Sequence, residues 1–411
     1  PLRAAAKVAA TELKQAERAA ELCGLALLHT TDSEDDALAT EVANELLGYA
    51  ESAKDDAWAE QALATLAARG PEPSKVQRKL AERAEQRDDW DEACSAWSRA
   101  IAGDADAGSL VSYSERLCDA AEQADELEGV VAVIAEAVER HRAKAPVDAH
   151  AAIVATAAWA AGEGVDLDEA LTAIDAALAG ATDADDTSAL LAVRERVLVE
   201  QGAWTEVVAT LERLAGTLEG EQKIETLRRA AGICDGVASD AASAARLYAA
   251  VLAVAPNDSD AWALRLSACE RADDEPALCV ALDAYLAAND GNAAARAAAA
   301  VRRIELTDGD DHATVLGVAG AILPHLDAST PLLDDEELVF VVASGRLEVA
   351  DHSRAAATLV LPVARAFERW EEVLQCVELL SADAKPGSPE QVASLLDQAD
   401  LAHAHTDNGA V

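Results

Sequence analysis

The sequence predicts an all-α chain built as a stack of antiparallel helix hairpins, and three observations predict it. A phrase of small or apolar residue, apolar residue four on and apolar residue three further recurs every 34 to 41 residues, as in Ala93, Trp97, Ala100 and in Ala244, Tyr248, Val251. Those spacings place all three residues on one face of a helix. Half of the 411 residues are hydrophobic (51%) while only 3% are aromatic, and alanine supplies much of the remainder. Alanine is the best helix former, whereas a β protein of this size would call on more valine, isoleucine, threonine and tyrosine. Finally, apolar stretches of helical period alternate with short polar or Gly/Pro breaks, with no long linker to divide the chain.

Taken in order, residues 1–73 read as helical but match the phrase poorly, and are expected to be degenerate or capping hairpins. Breaks then fall at Gly70-Pro71-Glu72-Pro73, Gly103-Asp104, Gly180-Ala181-Thr182-Asp183, Pro256-Asn257-Asp258 and Lys385-Pro386-Gly387. These are examples of the breaks that separate about twenty helical stretches along the chain, hence about ten hairpins. Ser33, Asp89, Asp166, Asp240 and Asp258 precede apolar runs and are placed to cap free amides with a side-chain oxygen. The second helix of successive hairpins is anchored at Ala93, Val130, Ala170, Val207, Ala244, Leu278, Val315 and Ala356. Four residues after each come Trp97, Ile134, Ile174, Leu211, Tyr248, Leu282, Ala319 and Val360, and three further Ala100, Ala137, Ala177, Leu214, Val251, Tyr285, Ile322 and Val363. A hairpin repeat of this kind cannot bury its core until neighbours join, so the period implies stacking and points to binding rather than chemistry.

The register resembles that of tetratricopeptide repeat (TPR) proteins. The best stretch is Ala244, Tyr248, Val251, Pro256 and Trp262, with Gly232 where the family places a small residue that lets the paired helix pack close. Trp90, Trp204 and, out of phase, Trp370 stand at helix starts in Asp-Trp-Asp-Glu-Ala, Ala-Trp-Thr-Glu-Val and Arg-Trp-Glu-Glu-Val contexts. The resemblance implies a right-handed α-solenoid, with TPR-like repeats over 74–330 and irregular C-terminal hairpins and a capping helix over 331–411. Most spacings exceed the usual 34, which predicts longer helices or turns. Pro362 predicts a kink or break in its helix, and the phase slips after Pro331 because Trp370 follows Ala356 too closely.

With 76 acidic against 33 basic residues, the formal charge is -43. Phosphate binding needs a basic face, so nucleic acid is not expected as a direct ligand, nor is an anionic membrane surface. Two readings of the charge stay open: an acidic groove steering a basic partner, or a generally solvated acidic surface of a salt-adapted protein. Seven cysteines stand singly with no CxxC pair, as expected of buried thiols in a reducing, cytoplasmic compartment. The longest apolar run, near Ala151 to Ala161, is too short to span a membrane. The chain opens on Pro1 and holds no methionine, and is expected to be a segment of a longer bacterial-type protein.

No Gly-rich phosphate loop and no HExxH is present, and no cofactor or metal is expected. His403 and His405 lie in a polar tail. Asp308, Asp310 and Asp311 resemble a calcium-loop start but lack its glycine and closing glutamate, which makes them a capped helix start. Cys94, Cys234 and Cys279 fall on apolar faces, where thiols act as small hydrophobes. Trp90, Trp97, Trp204 and Trp262 are assigned to core packing. In the TPR family the first helix of each hairpin lines the concave surface, which implicates Arg229, Asp260, Ser267, Glu270 and Arg271 in partner contact. The cluster of basic residues and asparagine that clamps a C-terminal carboxylate in some relatives is not evident. The expected function is therefore a non-catalytic scaffold that binds a protein or peptide, basic in one reading, within a multiprotein assembly. Two others stay open: a regulatory or substrate-recruiting arm of a larger enzyme, and a structural subunit assembling end to end.

Overall fold

The computed structural model describes residues 1–30, 35–103, 107–143, 145–288, 292–326, 332–382 and 388–405. Among them the regular structure is entirely helical, and the chain divides into two compact units, Pro1–Leu218 and Glu219–Val411. The first holds α1 (Leu2–Thr11), α2 (Ala16–Leu28), α3 (Asp36–Ala53), α4 (Asp56–Arg69), α5 (Pro73–Glu85), α6 (Trp90–Ala102), α7 (Ala107–Ala124), α8 (Val130–Arg142), α9 (Pro146–Glu163), α10 (Leu167–Gly180), α11 (Ala184–Gln201) and α12 (Trp204–Thr217). The second holds α13 (Gly220–Asp235), α14 (Ala241–Val254), α15 (Ser259–Arg271), α16 (Glu275–Ala287), α17 (Ala293–Glu305), α18 (His312–Ile322), α19 (Asp334–Ser344), α20 (Ser353–Ala366), α21 (Trp370–Ser381) and α22 (Pro389–His405). Within each unit, helices pack on their sequence neighbours, and first helices such as α7, α9 and α11 pack side by side.

Burial carries the repeat directly. All eight anchors are buried, and so are the residues four and seven positions on, none more than 8% exposed. In the first unit α1–α4 enclose one apolar cluster around Leu27, Leu46 and Leu63, and α5–α11 a longer one running from Ala81 to Val197. Leu80 of α5 packs against both, so the two are joined at that helix. Tight turns within hairpins are closed by left-handed residues, Lys54 and Asp88 in the first unit and Ser239 and Asp273 in the second. All but Lys54 are short polar residues, a type that tolerates that region at modest cost.

Several sequence expectations meet a different outcome. Gly232 is exposed, and a Cβ built there meets nothing within 4 Å, so it makes no close helix contact. A glycine that does so is Gly24 of α2, where an added Cβ would lie 2.3 Å from the Trp58 ring of α4. Asp89, Asp240 and Asp258 cap α6, α14 and α15 as expected. Asp166 does not cap α10, because its left-handed backbone (φ 50°) turns the carboxylate away. It accepts instead from the amides of Gly129 (2.8 Å) and Val131 (3.4 Å), and so caps α8 in the preceding hairpin. Ser33, Asp104, Lys385-Pro386-Gly387 and Pro331 lie outside the described residues.

Trp97 and Trp262 are buried, tilted against Tyr113 and Tyr285 at 5.3 and 5.5 Å between ring centroids. Trp90 and Trp204 are only half-buried, since a residue at the first position of a helix reaches the edge of the hairpin rather than its middle. α20 runs through Pro362 without a break. Val360, Val363 and Ala364 are buried on either side of the proline, and that packing outweighs the missing amide. Trp370 opens α21 after a three-residue turn in which Glu368 is left-handed (φ 56°), the construction Asp273 provides between α15 and α16. α20 and α21 thus form a tight hairpin of their own, which explains why Trp370 falls out of phase with the anchors.

Candidate partner-binding surface

The residues singled out in the sequence belong to two adjacent first helices of the second unit. Apolar residues of α13 (Ile224, Leu227, Ala230, Ala231, Cys234) and of α15 (Ala261, Trp262, Ala268, Cys269) face the core. The singled-out residues lie away from that core: Arg229 on α13, and Asp260, Glu270 and Arg271 on α15 are exposed, with Ser267 half-buried. Asp258 fixes the start of α15 by accepting from the Ala261 amide at 3.1 Å, and Trp262 locks the incoming turn by donating from its indole to the Pro256 carbonyl at 2.9 Å.

Ser267, Glu270 and Arg271 come together at the C-terminal end of α15, where three first helices are tied in a row. The Arg271 guanidinium donates to Ser267 Oγ at 3.0 Å and forms an ion pair with Asp235 at the end of α13. Glu270 lies 3.9 Å from the Arg302 guanidinium of α17, which also pairs with Glu305 at 3.0 Å. Asp260 sits at the opposite end of α15, near a second bridge between Arg228 of α13 and Asp258. The structure therefore splits the five residues: three form one polar cluster, Asp260 borders another, and Arg229 lies on α13 beside Arg228. Exposed pairs of this kind are worth about 0.2–1 kcal/mol each and exchange partners readily.

What residue-by-residue reading missed is the other half of each bridge. Asp235, Arg302 and Arg228 carry no motif, yet each opposes a charge about one hairpin along the chain: Asp235 and Arg271, Glu270 and Arg302, Arg228 and Asp258. Opposite charges at the repeat spacing were the available signal. The same device operates in the first unit, where Arg116 of α7 pairs with Glu85 of α5, and Trp159 of α9 donates to Glu122 of α7 at 2.7 Å.

Thiol chemistry has little support in these surroundings. Cys94 and Cys234 are buried, and Cys279 is half-exposed. Burial pushes the Cys23 and Cys376 thiols up to about 11 and Cys118 up to about 12, far from the thiolate form at neutral pH. Asp311 caps α18 by accepting from the Thr314 amide at 3.1 Å and its hydroxyl at 2.6 Å, and these bonds hold its carboxyl below the usual range. Among the described residues no group of three or more His, Cys, Asp or Glu is placed to hold a metal ion, and no helix is long and apolar enough to cross a membrane. The side chains of His403 and His405 lie outside what is described.

No family model matches the sequence, and no curated protein does. Among solved structures, the chain is similar to one from the structure of Naa15/Naa10 bound to HypK-THB, with 16% identity over 98% of this chain and 63% of that one, at a TM-score of 0.35. The chain thus spans under two thirds of that neighbour's length. It is also similar to the TPR2AB-domain:pHSP90 complex of yeast Sti1, with 16% identity, 69% and 98% coverage and a TM-score of 0.25. For yeast Tom70 the values are 10%, 97% and 94%, and 0.22. By the alternation of helices and the burial of the face that recurs from Ala93 to Val363, each of the two units is an all-α array of antiparallel helix hairpins.

Proposed function

We propose that the chain is a non-catalytic scaffold that holds a protein or peptide partner on the solvent face of its first helices, with Arg229, Asp260, Ser267, Glu270 and Arg271 in contact with it. The observation that supports this reading is the row formed by α13, α15 and α17. Successive helices present charges of both signs, paired with one another across the hairpins by bridges too weak to be kept for stability alone. A partner carrying its own charged side chains exchanges for these bridges at small cost, and the rigid hairpins set the spacing it must match.

The test is capture of partners from the source lysate, followed by titration of the purified partner against the chain and an Arg229→Glu/Arg271→Glu variant. Helix content and melting temperature serve as the folding control. Binding weakened at least tenfold in a folded variant is the expected result. Capture of no partner, or a partner whose affinity for the variant stays within twofold, overturns the assignment to this face.

A further inference from the structure

A cleft of about 750 Å³ lies in the first unit between α6 and α8. Its apolar floor is made by Val130, buried, and by Val133 and Val165, half-buried. Its rim is the turn from α7 to α8, where Asp125, Glu126 and Glu128 stand exposed within four residues. This rim is held in place: the Asp166 carboxylate accepts from the amides of Gly129 and Val131, pinning the turn to the next hairpin. Among the described residues no arginine or lysine forms an ion pair with any of the three acids. Arg99, the one cation on the lining, is engaged with Glu92 at 2.7 Å and Gln77 at 3.1 Å. The smaller groove between α8 and α10, of about 340 Å³, is walled mainly by alanines, and Arg142 on its lining pairs with Glu139 at 2.9 Å.

An apolar floor with unneutralised carboxylates at its mouth suits one chemistry, an alkyl chain ending in a cation. We propose that this cleft binds an arginine or lysine side chain of a partner protein, its methylene stem on Val130, Val133 and Val165 and its charged head among Asp125, Glu126 and Glu128. The stem removes apolar surface from water while the head stays at the wet rim, so neither part is buried against its nature. A partner for that side chain rests on the scaffold reading above, whereas the cleft's own preference for an alkyl cation does not.

The probe is n-butylguanidinium, with the neutral isostere n-butylurea as its control, titrated against the whole chain by ligand-observed NMR at 0.15 M NaCl. Saturable binding of the cation, at least tenfold tighter than the urea, is the expected result. Glu126→Gln/Glu128→Gln should weaken it at least tenfold, and so should Ser98→Trp, which fills the cleft and leaves every charge in place. Glu221→Gln/Glu225→Gln removes the same charge from exposed positions on α13 and should stay within twofold of the parent. Equal binding of cation and urea, or equal loss in the α13 variant, overturns the cleft, as does indifference to Ser98→Trp. A chain that captures its partner but fails these titrations loses the cleft alone, whereas one that binds butylguanidinium and captures no partner loses the scaffold reading alone.

Discussion

At the scale of the residue, two glycines show how position decides what a missing side chain does. Gly24 lies under the Trp58 ring, and a methyl group there would sit 2.3 Å from a carbon of that half-buried ring, which packs against the core of α1–α4. Gly24→Ala is expected to destabilise the first unit by about 1–3 kcal/mol, the usual cost of overpacking. Gly232 meets nothing within 4 Å on an exposed helix face, and Gly232→Ala should stabilise by about 0.5–1 kcal/mol as the unfolded chain loses freedom. Denaturant melts of the two variants check both signs, and a stabilising Gly24→Ala would refute the packing account. The family pattern pointed to the wrong glycine because register gives spacing along the chain, not the approach distance between helices.

At the scale of the element, caps and turns govern how hairpins meet. Asp166 finishes α8 from the following hairpin, so it acts on a helix to which it does not belong. Asp166→Ala is expected to cost about 1–2 kcal/mol, in the range of cap removal, and to speed amide exchange at Gly129 and Val131 while leaving the start of α10 unchanged. Exchange accelerated at α10 instead would mean a conventional cap. The sequence made the apolar face of every second helix legible from Ala93 to Val363, because small and apolar residues at spacings of four and three admit one geometry. It did not reveal Asp166's partner or the bridges through Asp235 and Arg302, since a polar contact between hairpins depends on how they stack. Nor did it reveal that α20 and α21 make a tight hairpin, which hangs on the left-handed conformation of Glu368.

At the scale of the whole molecule, charge dominates. A formal charge of -43 with only 33 basic residues means that repulsion among carboxylates opposes the folded state over much of the surface. The few arginines are placed where they serve twice: Arg140 donates to the Ala102 carbonyl at 2.8 Å, Arg142 to Ala176 at 2.8 Å, and the buried Arg296 to Ala321 at 2.9 Å, all near the carbonyl-rich ends of helices. Exposed ion pairs lose little on screening, whereas diffuse repulsion loses much, so the melting temperature should rise between 10 mM and 0.5 M NaCl. A fall over that range would show that the bridges between hairpins outweigh the repulsion.

The cap that Asp166 lends to α8 also bears on how such a chain can change length by gain or loss of repeats. Deleting α9 and α10 would strip α8 of its terminus, and deleting α7 and α8 would leave Asp166 with no amides to receive. The portion that can be copied or removed without harm is therefore not the hairpin the eye picks out. It is a hairpin together with the first helix and inner turn of its successor, and recombination points that respect the visible boundary would still cut through a working joint.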